Sequence, residues 1–193
     1  MTIKSILSSI WLSAALICAV CQGALPLDTS AAQATKGPRY GGIVQYTELA
    51  EINSTAGSLV GLGGDTPNSA FHFLKAQGFK TVVNLRLANE LEGSPDSIAR
   101  DAARHGLEYI HLPFNPRDLE HDVIPAFVDV MSRPGMQPVY VHCNSATRAA
   151  ALWMVMRVTQ DNVPLKAAIE EAENIAARPE DAIAFAKHYL STQ

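Results

Sequence analysis

Residues 138–157, PVYVHCNSATRAAALWMVMR, constrain the fold more than any other part of this chain. A run of β-branched and aromatic residues with no polar alternation is a strand buried on both faces. After a short polar loop comes a helical stretch that is apolar almost all round, which requires a helix packed against the sheet rather than one lying on a wet surface. A buried strand feeding a buried helix is the building unit of a parallel sheet, and it leaves residues 143–148 at the carboxyl end of the strand, where open α/β sheets bind their ligands.

The rest of the chain repeats the alternation. Residues 58–62 read as a first strand, followed by Gly63 and Gly64 and then by Thr66 and Pro67, a cap and first residue for a helix that ends at Gly78. Residues 81–85 (TVVNL) are a compact buried strand, Ser94 and Pro95 open a helix that stops at Gly106, and residues 107–112 form the next strand. A loop over 113–120 leads to a helix over 123–132, and helices over 164–177 and 179–190 close the chain. The expected fold is a single α/β domain over residues 43–193, with a central, mostly parallel sheet of four to five strands flanked by helices and two further helices at the carboxyl end.

Residues 1–24 read as an export signal: Lys4 gives a positive start, residues 6–20 are apolar, and Cys21, Gly23 and Ala24 offer small residues for cleavage. The alternative is an uncleaved membrane anchor, since residues 5–24 carry no charge. With cleavage the protein works in the periplasm or is secreted, with no stable membrane insertion. Residues 25–42, small and containing Pro and Gly, read as a flexible linker. The chain has 15 Lys and Arg against 19 Asp and Glu, a formal charge of −4, and loss of Lys4 makes it more acidic; nucleic acid is therefore not its partner. Of its three cysteines, Cys18 and Cys21 lie in the leader, so only Cys143 remains and no internal disulfide forms. His72, His105, His111, His121 and His188 show no ligand spacing, and neither a metal nor another cofactor is expected.

A strand-to-helix loop turns several backbone N–H groups toward one point, and the helix dipole adds positive potential there. Such a loop holds an oxyanion, and the same field favours the thiolate of Cys143. Arg148 folds back over the loop and offers a planar fork to two oxygens. Asn144, Ser145, Ala146 and Thr147 form the cradle, and the hydroxyls of Ser145 and Thr147 can donate to the thiolate or the leaving sulfur. His142 is expected to order the loop by hydrogen bonding. Arg86 ends a strand at the same sheet edge, where it either adds to the anion field or pairs with Glu90 or Glu92.

The run VHCNSATRAAALW, together with GLGGDTPNSAFHFLKAQGFKTVVNLR, resembles the cysteine-phosphatase superfamily, in particular its dual-specificity-like bacterial branch, the phosphatase-like domain of beta-lactamase-hydrolase-like proteins. The likeness extends over residues 58–157. It implies a cysteine-phosphatase-like fold and a phosphorylated substrate, with Cys143 as the nucleophile that forms a phosphocysteine and Arg148 stabilising the equatorial oxygens. It also implies a general acid from residues 113–122: Asp118 first and Asp122 next, because Asn115 stands where an Asp would serve. Three positions depart from the pattern. Four residues, not five, separate Cys143 from Arg148; Ala146 replaces a Gly, and Ala149 replaces a Ser or Thr. The four-residue spacer also resembles the loop of rhodanese-type sulfurtransferases, in which the cysteine carries a persulfide. A non-catalytic module that binds an anion or a partner is the third reading.

Overall fold

The computed structural model describes residues 34–36, 42–117 and 122–193. The leader and Asp118 lie outside the described residues. Six strands form one sheet: β1 (Ala34–Lys36), β2 (Thr47–Ala50), β3 (Leu59–Gly63), β4 (Thr81–Asn84), β5 (Glu108–His111) and β6 (Val139–His142), in the order β1-β2-β3-β6-β4-β5. The four strands expected from the sequence are β3, β6, β4 and β5, and all run parallel. The sheet is larger than expected because β1 and β2 extend its β3 edge antiparallel. Residues 34–36, read as part of a linker, therefore belong to the sheet.

Six α-helices flank it: α1 (Phe71–Ala76), α2 (Pro95–Arg104), α3 (Val123–Ser132), α4 (Thr147–Thr159), α5 (Leu165–Ile175) and α6 (Pro179–Ser191). The period of two in the strands divides the core. Val139 and Val141 of β6 face one side with Val83, Leu85 and helices α3 to α6, whereas Tyr140 faces the other with Val82, α1 and α2. Helix α4 is buried without interruption from Ala149 to Arg157, as its uniform apolarity demands. Ser94 caps α2 by accepting from the Ser97 N–H at 3.2 Å, and Gly78 and Gly106 end α1 and α2 with φ of +92° and +70°. Thr66 does not cap a helix. Its hydroxyl donates to the Gly64 carbonyl at 3.0 Å and lies 2.9 Å from the Tyr140 hydroxyl, and a 3-10 turn over Asn68–Ala70 leads into α1 instead.

Among the described residues no helix is long and apolar enough to cross a membrane.

Candidate active site

Strand β6 delivers His142 and Cys143 to the sheet edge, and α4 begins four residues beyond Cys143, at Thr147. The intervening loop is fastened from both sides. The Cys143 N–H donates to the Gly63 carbonyl at 3.2 Å and the Asp65 N–H to the Asn144 carbonyl at 2.9 Å; on the opposite side, the Ala177 N–H donates to the Ser145 carbonyl at 3.1 Å and the Arg178 N–H to Thr147 Oγ1 at 3.3 Å. Backbone lies so close to backbone here that a Cβ on Gly64 would sit 2.8 Å from the Val44 carbonyl oxygen and 3.0 Å from that of Asn144. Only glycine permits that approach.

Ala146, the residue before α4, has φ +58° and ψ −5° and is fully buried. A left-handed backbone costs a residue with a Cβ about 1–2 kcal/mol. Replacing it by Gly relieves that strain, but loses a buried methyl worth about 0.8 kcal/mol and adds unfolded-state freedom worth about 0.4–1 kcal/mol. Ala146→Gly is therefore expected to leave stability within about 1 kcal/mol of the parent. A urea unfolding midpoint checks this, and a larger loss would show that the methyl outweighs the strain.

Arg148 returns over the loop as expected, and its partner is Glu90. Nη1 donates to Glu90 Oε2 at 2.7 Å and Nη2 to Glu90 Oε1 at 2.9 Å, while Nη1 also lies 3.2 Å from the carbonyl oxygens of Leu85 and Phe114. A guanidinium has five N–H donors. These contacts occupy the Nη1/Nη2 edge, leaving the Nε/Nη2 edge to meet two oxygens of a bound anion. Burial alone raises the carboxyl pKa of Glu90, but hydrogen bonds from Arg148 and the Leu87 N–H, with the charges of Arg148 and Arg86, outweigh it and hold the group below its ordinary value. The Arg148 guanidinium is raised in turn: its burial is outweighed by Glu90 and by the negative charge of a Cys143 thiolate. Asn144 Nδ2 donates to Glu90 Oε1 at 2.5 Å, so one carboxylate ties the first residue of the cradle to Arg148, which follows its last.

Several expectations are corrected. Arg86 binds neither the Glu90 nor the Glu92 carboxylate: its Nη1 pairs with Asp65 Oδ1 at 3.0 Å and its Nη2 donates to the Glu90 backbone oxygen. It lines a separate cavity with His142, and it acts on the site through the turn that carries Glu90 and through its charge on the Glu90 carboxylate. The Ser145 hydroxyl donates to Thr147 Oγ1 at 3.2 Å, so these side chains brace the loop rather than address the sulfur. His142 is buried and stacked on Tyr140, with ring centroids 5.9 Å apart, but its Nδ1 has no hydrogen-bond partner. The ring meets the loop by this stacking and at the backbone of Cys143 and Gly64, which favours its charged form. Burial first, and the charge of Arg86 second, push its imidazole down to about 3.

A cavity of about 690 Å³ opens over the loop, bounded by Glu90, Asn144, Ser145, Thr147 and Arg148 on one side and by α6 on the other. Asn115, Pro116 and Arg117 contribute to its wall, which brings the start of the 113–122 stretch to the site. Asp122, the second candidate acid, is exposed and does not line this cavity. Glu90, Arg117 and α6 were not identified from sequence as parts of the site. Glu90 had a visible signal in its place six residues beyond the end of β4, but Glu92 shared it.

Residues 70–160 match the family model of the beta-lactamase hydrolase-like protein, phosphatase-like domain. The beta-lactamase hydrolase-like protein of Agrobacterium fabrum is 30% identical over 96 residues, which are 49% of this chain and 22% of that protein; the chain thus spans about a fifth of that relative's length. Among solved structures, P. aeruginosa TpbA in complex with pTyr superposes with a TM-score of 0.57 at 16% identity, covering 81% of this chain and 89% of that one. The core catalytic domain of the PP-IP phosphatase SIW14 from S. cerevisiae does so with a TM-score of 0.55 at 18% identity, covering 67% and 80%. Fold and sequence agree: this chain has the α/β architecture of cysteine-based tyrosine and dual-specificity phosphatases, and residues 70–160 match the phosphatase-like domain of beta-lactamase hydrolase-like proteins.

Proposed function

We propose that the protein hydrolyses a phosphomonoester through a phosphocysteine intermediate, and that it does so outside the cytoplasm. The observation that carries this reading is the conjunction of Cys143 at the end of β6 with an Arg148 whose outer edge is locked by Glu90. The fold of the neighbours favours phosphoryl over sulfur transfer.

In the first step the Cys143 thiolate attacks phosphorus, the bond to the ester oxygen breaks, and Asp118 gives that oxygen its proton. In the second, water attacks the phosphocysteine, Asp118 takes the water's proton, and inorganic phosphate leaves as the thiolate returns. Loop N–H groups and Arg148 stabilise the charge on the equatorial oxygens in both transition states. No step needs a metal. Phosphotyrosine is a natural first substrate to try, because TpbA was solved with it bound. Export rests on the charge-poor run that follows Lys4 in the leader.

The test is phosphate release from an aryl phosphate by reduced protein in the presence of a chelator, compared with thiocyanate formation from thiosulfate and cyanide. The expected result is phosphate release abolished in Cys143→Ser and slowed by about 10²–10⁴ in Asp118→Asn, the range for loss of a general acid. Thiocyanate formation without phosphate release would identify a sulfurtransferase, and an anion bound without turnover of either kind would identify a binding module.

A further inference from the structure

A phosphoryl group fills a small part of a cavity of about 690 Å³, a volume that elsewhere holds a whole drug-sized ligand. What lines the remainder is uneven in charge. Among the described residues, Arg117 and Arg178 line it besides the pair formed by Arg148 and Glu90, and the further acid there is Asp181. This is a cationic rim on a chain of formal charge −4.

Arg178 is placed by the phosphate loop itself. It lies at the junction of α5 and α6, and the N–H groups of Ala177 and Arg178 both donate into the loop, to the Ser145 carbonyl and to Thr147 Oγ1. Its backbone therefore keeps a fixed distance from whatever the loop holds. Its guanidinium pairs with Asp181 Oδ2 at 3.3 Å, with side chains 64% and 54% exposed. An ion pair so exposed contributes little, so an incoming anion displaces Asp181 at small cost. Arg117 lines the same cavity and makes no ion pair among the described residues. Leu87, Pro116, Ala182 and Phe185 add apolar surface to the same cavity.

We infer that Arg117 and Arg178 form a second anion subsite, so that this protein selects phosphomonoesters whose body carries a further anionic group. The inference deepens the proposed function, since it takes the loop as the phosphoryl site. It needs binding there, and not turnover.

Binding is measured with the full-length Cys143→Ser protein at 0.15 M ionic strength, roughly the physiological value. Two pairs of probes are used: a phosphotyrosine peptide flanked by Glu against the same peptide flanked by Gln, and a sugar bisphosphate against the corresponding monophosphate. The doubly anionic member of at least one pair is expected to bind about five- to tenfold more tightly, the factor for an exposed charge-assisted contact. That ratio should fall toward one in Arg178→Ala and in Arg117→Ala, and rise in Asp181→Asn. Preference within the peptide pair alone places the second anion on an acidic peptide, and within the sugar pair alone on a small metabolite. Equal binding within both pairs, or a preference that Arg178→Ala leaves unchanged, overturns the inference. A preference that follows the arginines in a protein without phosphatase activity would sustain the inference while removing the proposed function.

Discussion

Arg148→Lys is expected to lower kcat toward an aryl phosphate by about 10²–10³, the loss that follows removal of one donor preorganised toward developing charge. The reason lies in how the guanidinium is divided. One edge is committed to Glu90 and to the carbonyls of Leu85 and Phe114, and the other remains for the phosphoryl group. A lysine ammonium has three donors on one atom, and at this depth it satisfies the fixed acceptors before it reaches an anion. Charge is conserved and Glu90 keeps a cation, so the fold should survive. Steady-state kinetics, with a circular dichroism melt as control, separate the two effects. A kcat within threefold of the parent would mean that the loop N–H groups alone carry the transition-state charge.

The largest expected effect on stability lies on the far end of α4. Arg157 is 1% exposed and Glu171 is fully buried. The arginine Nε lies 3.2 and 3.1 Å from the two Glu171 oxygens, its Nη2 donates to Oε1 at 3.1 Å, and its Nη1 donates to Asp161 Oδ2 at 2.9 Å and to the Asn53 carbonyl at 3.0 Å. Trp153 Nε1 donates to Glu171 Oε2 at 2.7 Å, and Asp161 in turn accepts from the hydroxyls of Ser54 and Thr55. One cation thus joins α4, α5 and the loop that follows β2. Arg157→Met leaves two enclosed carboxylates without it, and loss of about 3–5 kcal/mol is expected. That is a large share of the roughly 5–15 kcal/mol that stabilises a domain. Glu171→Gln should cost less, because Asp161 still neutralises the arginine and the amide oxygen can still accept from Trp153. Urea unfolding midpoints give the ranking, and the reverse order would mean that Asp161 holds the charge alone.

Much of this architecture was legible because it depends on burial. The four parallel strands are apolar runs, α4 is apolar on every side, and Ser94, Gly78 and Gly106 mark helix ends by local chemistry. The antiparallel edge was not. TELA in β2 is too short to show a period, and ATK in β1 has none; both become strands through the partner that each meets. Within the site, the cysteine, the cradle and the arginine were readable, since a strand, a loop and a helix follow one another in sequence. The partner of Arg148 was not, because Glu90 and Glu92 are equivalent until the 3-10 turn over Ala88–Glu90 aims one of them inward. The contribution of α6 depends on where α5 turns the chain back, which no local pattern encodes.

The burial of His142 carries a consequence for kinetics. An imidazole held down to about 3 is uncharged throughout the range in which enzymes are ordinarily assayed. A histidine stands next to Cys143 in sequence, yet on the proposed mechanism its protonation would not modulate the reaction. An inflection near neutrality in a rate profile is therefore not expected to come from this imidazole. The loop from Cys143 to Arg148 therefore has an uncharged imidazole behind it in a mildly acidic medium as in a neutral one, a property that the proposed work outside the cytoplasm would call on.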